Sequence, residues 1–217
     1  ALASRPDGRQ LMPLFLTKLI GSTGDETAKQ LIPEDLLVSQ VKWNVKEREI
    51  TEQTFEGLQV VEQDKKLLLK YDDGTMEDKR STAGGGHAVL YKKPQGRWAV
   101  SQLQIFAARY GMPEPPDENF IIYFCDKDFQ VIKEIEKPYS IFERGAEKWY
   151  QIDIEPVEAP DVFYVCIFFN PTYTKGVYVG MDKNVKKSHS KYALPYTFIS
   201  DAEGLDWMLR VVVEKIE

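Results

Sequence analysis

Alternating apolar and polar residues recur along most of the chain and define its fold class. Leu103, Ile105 and Ala107 would share one side of an extended segment. Gln102 and Gln104 would share the other side, as in a half-buried β-strand. A series of such runs, rich in Val, Ile, Tyr and Phe, is separated by Gly, Pro, Asn and Asp. This spacing predicts an all-β protein.

Two segments add detail to this prediction. The run VFYVCIFF at 162–169 is apolar on both sides, which is typical of a strand covered on both faces or of one whose second face meets the N-terminal segment. DKDFQV at 126–131 is a short polar gap between apolar runs and predicts a hairpin. No helical period persists beyond about ten residues after position 60, which argues against Rossmann and TIM-barrel enzymes.

Residues 1–60 differ from the remainder of the chain. Their short apolar segments follow neither the two-residue period of a strand nor the 3.6-residue period of a helix. We therefore predict a two-sheet antiparallel β-sandwich, jelly-roll-like, at 61–217, preceded by a mixed N-terminal extension or small subdomain at 1–60. The longest apolar run, LMPLFLTKLI, is interrupted by Pro13 and Lys18. A membrane-spanning helix needs about 20 apolar residues, so no transmembrane segment is predicted.

Charge and cysteine content narrow the functional classes. The formal net charge is −6, with 28 basic and 34 acidic residues. Phosphate backbones require clustered Lys and Arg, so nucleic acid is not expected as a partner. Cys125 and Cys166 both lie in apolar strand-like runs. A buried free thiol and a disulfide remain open alternatives for them.

The segment YDDGTMEDKRSTAGGGHAVLY at 71–91 has the densest candidate chemistry in the chain. A phosphate-binding loop would place Lys-Ser or Lys-Thr and a helix after the glycines, whereas here His87 and a β-run follow. Glycines before a strand permit positive φ or a close approach to a neighbouring chain. This comparison favours a turn between two strands.

Asp72 and Asp73 precede Gly74 in a sequence typical of a tight turn. The functional alternative is a calcium site at Asp72 and Asp73, with Glu77 and Asp78 close enough in sequence to contribute. The spacing does not match an EF-hand. Apart from calcium, no cofactor is expected.

No catalytic residue is predicted. His87 and His189 are the only two histidines, and neither has a partner at zinc-ligand spacing. No GxSxG motif occurs, and the two cysteines lie in apolar runs, where a thiolate is disfavoured. A metal-dependent hydrolase remains as an alternative class.

Loop residues supply candidate ligand contacts. KNVKKSHSKY at 183–192 is either a solvated loop or a lip that binds anions or polysaccharide. Tyrosines in loops could stack on a sugar ring, although Tyr also serves as a hydrogen-bonded corner residue in β-proteins. The candidate ligand-binding residues are Arg80, His87, Tyr173, Lys175, His189 and Tyr192.

A resemblance adds to this interpretation. YDDGT, KRS, GGGHAV, ARYG, FCDKDFQVI, KPYSIF, FFNPT, TKGVYVG and DWMLRVVV, in this order, resemble an uncharacterised all-β domain attached to exported bacterial proteins. Some of those proteins are peptidases of the tail-specific protease type. The resemblance covers about residues 67–214. It departs at Ala107 and Ala108, where a small polar pair would be expected before Arg109.

The resemblance implies a galactose-binding-like sandwich that acts beside a catalyst, in the periplasm or outside the cell, and it carries over no catalytic residue. We therefore expect a non-catalytic binding or accessory domain that recognises a glycan or cell-envelope material, including an envelope protein. The alternative is a structural or protein-interaction module that docks on its own chain or forms a homodimer. An exposed patch of Leu14, Phe15, Leu16 and Ile20 would favour that alternative.

Overall fold

The computed structural model describes residues 55–63 and 66–217. The strands in this part of the chain are β1 Gln59–Gln63, β2 Lys66–Lys70, β3 Asp78–Arg80, β4 Gly86–Lys92, β5 Trp98–Gly111, β6 Asn119–Asp126, β7 Val131–Pro138, β8 Lys148–Glu158, β9 Val162–Phe168, β10 Lys175–Asp182, β11 Ser190–Leu194, β12 Phe198–Asp201, β13 Asp206–Trp207 and β14 Leu209–Lys215. A 3₁₀ turn, Tyr139–Ile141, follows β7.

The strands form two antiparallel sheets. The larger sheet has the order β1-β2-β14-β5-β10-β13, with β3 paired to β10 and β8 paired to β5. The smaller sheet has the order β12-β11-β4-β9-β6-β7. The predicted all-β, two-sheet antiparallel sandwich is confirmed. Within the described ranges, no helix is long and apolar enough to cross a membrane.

The mixed segment predicted at 1–60, with its apolar patch at Leu14, Phe15, Leu16 and Ile20, lies almost entirely outside the described residues. Strand β1 begins at Gln59, just before the predicted start of the sandwich, and pairs along its whole length with β2. The division of the chain at residue 60 remains a prediction.

The alternation of apolar and polar residues in β5 matches the alternation of inward and outward side chains in the structure. Leu103, Ile105 and Ala107 are fully buried in the core between the sheets, whereas Gln102 and Gln104 are on the opposite face. The same holds for β14, where Leu209, Val211 and Val213 enter the core. The period of two therefore identified the inward face of both strands.

Strand β9 lies between β4 and β6, and it is buried on both faces, as the apolar run at 162–169 suggested. Phe163 and Val165 belong to the core between the sheets. Tyr164 and Cys166 belong to a second apolar cluster on the outer face of the smaller sheet, where Phe55 also packs. Both cysteines are free and buried.

The hairpin predicted at 126–131 is confirmed as the β6–β7 connection. The Asp126 carboxylate accepts backbone N–H bonds from Asp128 and Gln130, each 2.9 Å long. Phe129 adopts a φ of 61° in this turn. An Asp side chain that binds its own turn is the usual stabiliser of such a connection.

The triple glycine has the structural role that its context favoured. Gly84 has a φ of 71° in the turn before β4. At Gly86 a Cβ atom would lie 2.7 Å from the Ile167 carbonyl oxygen and 3.0 Å from that of Ala193. The backbone of β4 thus approaches β9 and β11 at a distance that only glycine permits.

Candidate functional site

The two histidines lie in the interior. His87 is 2% exposed, and its Nε2 lies 3.2 Å from both the Arg80 carbonyl oxygen and the Thr82 hydroxyl. Its ring packs edge-on against Trp207. Burial lowers the pKa of His87 to about 4, so the ring is neutral at neutral pH.

His189 is 4% exposed and stacks flat on Tyr71, with 3.7 Å between the ring centroids. Its Nδ1 lies 3.1 Å from the Asp206 carboxylate, which also accepts a bond from the Ser190 hydroxyl. Neither histidine reaches the surface. Both therefore stabilise the fold in this structure and are not placed to contact a ligand outside it.

Arg80 and Tyr192 are brought together. The Arg80 guanidinium donates a 2.8 Å hydrogen bond to the Tyr192 hydroxyl and lies 5.7 Å from the ring centroid. Tyr192 packs edge-on against Trp207, the residue that His87 also contacts. Two of the six predicted ligand-binding residues, His87 and Tyr192, thus contact the buried Trp207, and Arg80 bonds to both of them.

At least two of the four lysines in the segment at 183–192 form ion pairs within the chain. Lys183 pairs with Asp78 at 2.6 Å, and the amino group of the mostly buried Lys191 pairs with Asp201. These contacts favour the solvated-loop interpretation over an anion-binding lip.

Tyr173 and Lys175 occupy the connection from β9 to β10 and the start of β10. Tyr173 is 98% exposed, whereas the Lys175 amino group pairs with Glu118 and lies over the ring of Tyr139. The Tyr110 hydroxyl donates a 3.2 Å bond to the carbonyl of Thr172 in the same connection. Of the six predicted residues, Tyr173 is the one that is fully available to a ligand.

The adjacent aspartates Asp72 and Asp73 have different environments. Asp72 is fully buried and forms a two-point ion pair with Arg210. Asp73 is exposed, and its carboxylate lies within 4.8 Å of those of Glu77 and Asp182. The residues that could hold a hard cation are therefore Asp73, Glu77 and Asp182, while Asp72 stabilises the sandwich.

This carboxylate cluster has its own hydrogen bonds. Asp182 accepts backbone bonds from Asp73 and Asn184, at 2.7 and 2.8 Å. Glu77 accepts a bond from the Lys183 amide at 2.8 Å. Burial, together with the charges of Asp73 and Glu77, raises the pKa of Asp182. The cluster is thus ordered, and its mutual repulsion is the feature that a cation would offset.

Four aromatic side chains that the sequence analysis did not select lie on the outer face of the larger sheet. We call Phe106, Tyr110, Trp149 and Tyr178 the aromatic face. Each is half-buried, and none belongs to either apolar cluster. Phe106 and Trp149 are register partners with ring centroids 5.3 Å apart, and the Tyr110 and Tyr178 centroids are 4.6 Å apart.

The backbone of the sheet determines how these rings lie. Gly176 is the register partner of Tyr110, and a Cβ atom at Gly176 would collide with the Tyr110 ring. The Tyr110 ring therefore lies across the glycine backbone. Near Phe106, a Cβ atom at Gly180 would lie 3.1 Å from that ring. Glycines on β10 thus let the rings lie close to the sheet.

Polar groups surround the rings. The guanidinium carbon of Arg210 lies 3.7 Å from the centroid of Trp149, and the Lys79 amino group lies 5.4 Å from that of Tyr178. Lys79 pairs with Glu147. Along the same face, the Gln102 amide donates a 2.7 Å bond to Asp153. The arrangement combines apolar ring faces with directed donors and acceptors.

One sequence signal could have found this face. Phe106 and Tyr110 share the parity of Gln102 and Gln104, the side of β5 that was predicted to face solvent. Aromatic side chains on the polar side of an amphipathic strand indicate a surface function more strongly than tyrosines in loops.

Comparisons with known proteins yield a structural likeness alone. No family model matches the chain, and no curated protein sequence matches it either. A solved structure of the cysteine protease and lectin-like domains of Cwp84, a surface layer associated protein of Clostridium difficile, is similar with a TM-score of 0.51 and 7% identity. The likeness covers 71% of this chain and 37% of that one.

A Cys-to-Ala variant of the same clostridial protease after propeptide cleavage gives a TM-score of 0.50 with 8% identity, over 71% of this chain and 41% of that one. The chain thus spans about two fifths of the length of these structures. At such identities the likeness shows the fold alone, and it does not extend to the residues of a site.

Proposed function

We propose that this chain contributes a non-catalytic glycan-binding domain to an exported bacterial protein, and that the aromatic face is its binding surface. The observation that carries the proposal is the pair of aromatic contacts, Phe106 with Trp149 and Tyr110 with Tyr178, on the outer face of the larger sheet. Arg210 covers one face of Trp149, and the ring faces that neighbouring side chains leave uncovered are the apolar surfaces on which sugar rings stack.

The polar side chains around the rings suit a sugar ligand better than they suit an apolar protein surface. Gln102, Gln104 and Asp153 supply amide and carboxylate groups beside the rings. A sugar presents hydroxyl groups around an apolar ring face, and both features find partners here.

The titratable groups of the sandwich support a non-catalytic role. Burial raises the pKa of the Cys125 thiol to about 12, and it also raises that of Cys166 well above the ordinary value. A thiol in this state is a poor nucleophile. The neutral, buried His87 is equally unsuited to surface proton transfer.

The structural likeness supports the same proposal at the level of the fold. The similar clostridial structure contains the cysteine protease and lectin-like domains of a surface layer associated protein. An accessory sandwich attached to an exported catalyst is also what the sequence resemblance implies. The export of this chain and its attachment to a protease belong to the proposal.

A glycan array probed with the purified chain tests this function. We expect binding by the parent protein and its loss in the Trp149→Ala and Tyr178→Ala variants. Tyr196→Ala is the matched control, because Tyr196 is 82% exposed and lies in the turn between β11 and β12 of the smaller sheet. An array without any bound glycan, or variants that bind like the parent, would overturn the proposal.

One observation favours a protein-interaction module as the second candidate. Met112 is 60% exposed beside the 98% exposed Tyr173, because the Met112 amide donates to the carbonyl of Thr174. Two loops thereby present large apolar side chains together. Light scattering at high concentration tests the homodimer form of this candidate. A strict monomer would contradict that form, and a dimer lost on Tyr173→Ser substitution would support it.

A further inference from the structure

We infer that the aromatic face takes a neutral oligosaccharide chain several sugars long, and not a single sugar or an acidic glycan. This inference rests on the proposed function and specifies the ligand class of the same surface. Two features of the face support it. The first is the distance over which its rings extend along β5, and the second is that its basic groups are already paired.

The separation follows from the strand itself. Phe106 and Tyr110 lie on the same side of β5, four positions apart. At about 3.4 Å per residue, their backbones are about 14 Å apart. Trp149 is the register partner of Phe106, and Tyr178 pairs with Ala108. Tyr178 is therefore about 7 Å from Phe106 along the strand, and the four rings together extend over about 14 Å. A single pyranose ring is too short to contact all four rings, whereas a chain of linked sugars that runs parallel to β5 contacts them in turn.

The surface between the ring pairs is low. Ala108 is the residue of β5 that separates Phe106 from Tyr110 on this face, and Gly176 and Gly180 flank Tyr178 on β10. Ala108 is 1% exposed and the Tyr110 ring lies across Gly176, so the rings themselves form the surface of the face here. No other large side chain of β5 stands between Phe106 and Tyr110 on this side of the strand.

The two basic groups beside the rings are already paired within the chain. The Lys79 amino group pairs with Glu147, and the Arg210 guanidinium pairs with the buried Asp72. Carboxylated or sulfated sugars would need uncompensated cations to repay their desolvation, and these two basic groups are committed to partners. The face is therefore complementary to hydroxyl groups and apolar ring faces, which are the chemistry of a neutral glycan.

The Tyr110 end of the aromatic face lies beside the connection from β9 to β10, which carries Tyr173. The Tyr110 hydroxyl bonds to the carbonyl of Thr172 and lies 3.3 Å from the Ser81 hydroxyl. This links the Tyr110 end of the aromatic face to the connection that carries the exposed Tyr173. A chain that leaves the face at this end meets that connection next.

Calorimetric titration of the chain with β-1,4-linked N-acetylglucosamine and glucose oligosaccharides, from the monosaccharide to the hexasaccharide, tests the inference. We expect affinity to rise with chain length until both ring pairs are contacted. Trp149→Ala and Tyr178→Ala should each weaken hexasaccharide binding about fivefold, which corresponds to the roughly 1 kcal/mol of one ring contact. Trp149→Phe, which keeps an aromatic ring, should lose less, and thermal unfolding of every variant verifies its fold.

The outcomes separate the two proposals. If a monosaccharide binds as tightly as the hexasaccharide, or if oligogalacturonate binds more tightly than the neutral series, the ligand class is wrong and glycan binding itself stands. If no neutral or acidic glycan binds, the proposed function fails and the inference fails with it. A length-dependent affinity that both alanine variants reduce and Tyr196→Ala leaves unchanged supports both.

Discussion

The Arg210 guanidinium donates to both carboxylate oxygens of Asp72, which is fully buried. This ion pair joins the end of β2 to β14 across the larger sheet. The carbon of the same guanidinium lies 3.7 Å from the centroid of the Trp149 ring, so the pair also positions a polar group beside the aromatic face. A buried carboxylate is stable only while its cation is present.

Replacement of Arg210 by Met should therefore destabilise the chain strongly. Asp72 would remain buried without a partner, and loss of one member of a buried pair costs about 3 to 5 kcal/mol of the unfolding free energy. Chemical denaturation at pH 7 measures the effect. The control is Arg97→Met. Both side chains of the Arg97–Glu158 ion pair are exposed, so its loss should change the unfolding free energy little. Equal losses in the two variants would contradict this role of Asp72.

Stability should fall as the pH is lowered from 6.5 to 4, and His87 should contribute to the decrease. The folded state lowers the pKa of His87 from 6.5 to about 4. Within this window His87 binds a proton in the unfolded chain but not in the folded chain. His87 alone therefore lowers the unfolding free energy by about 3 kcal/mol over the whole window. Above pH 6.5 the contribution is fully present.

Denaturation curves of the parent and of His87→Gln at pH 7 and pH 4.5 test this prediction. The acidic side chains contribute equally to both proteins, so the difference between the two pH slopes isolates His87. The variant should lose less stability between these pH values than the parent does. Parallel slopes would show that His87 is not the buried neutral group that the structure describes.

Gly86→Ala should destabilise the sandwich, because a Cβ atom at this position would lie 2.7 Å from the carbonyl oxygen of Ile167. Strands β4, β9 and β11 would have to separate, at a cost of about 1 to 3 kcal/mol in unfolding free energy. Gly84→Asn is the matched control. Gly84 has a positive φ that Asn tolerates, and a Cβ atom there would have no neighbour within 4 Å. Similar thermal midpoints for the two variants would contradict the close approach.

The calcium hypothesis now concerns Asp73, Glu77 and Asp182. We expect calcium added to chelator-treated protein to raise the thermal midpoint, because the ion would offset repulsion among carboxylates within 4.8 Å of one another. Asp182→Asn should remove most of that increase. Identical melting curves in calcium and in chelator would reject the site.

Both cysteines should resist thiol reagents in the folded protein. Cys125 and Cys166 are free and buried, and burial raises the pKa of each thiol. Mass spectrometry after iodoacetamide treatment should show no adduct under native conditions and two adducts in guanidinium chloride. One adduct in the native state would place a cysteine at the surface, and none in the denatured state would indicate a disulfide.

Local sequence patterns determined the all-β class, the inward face of β5 and the β6–β7 hairpin. Alternation assigned Leu103 and Ile105 to the core, and the Asp-rich gap after Asp126 specified the turn, because both signals act over a few neighbouring residues. The sequence also excluded a phosphate-binding loop at the triple glycine, since a strand follows it.

Only the tertiary structure decided which side chains meet. Asp72 and Asp73 are neighbours in sequence, yet one is buried against Arg210 and the other is exposed beside Asp182. The aromatic face joins residues of β5, β8 and β10, which are brought together by the register between strands. Register and sheet order depend on contacts far apart in the chain, and no local period records them.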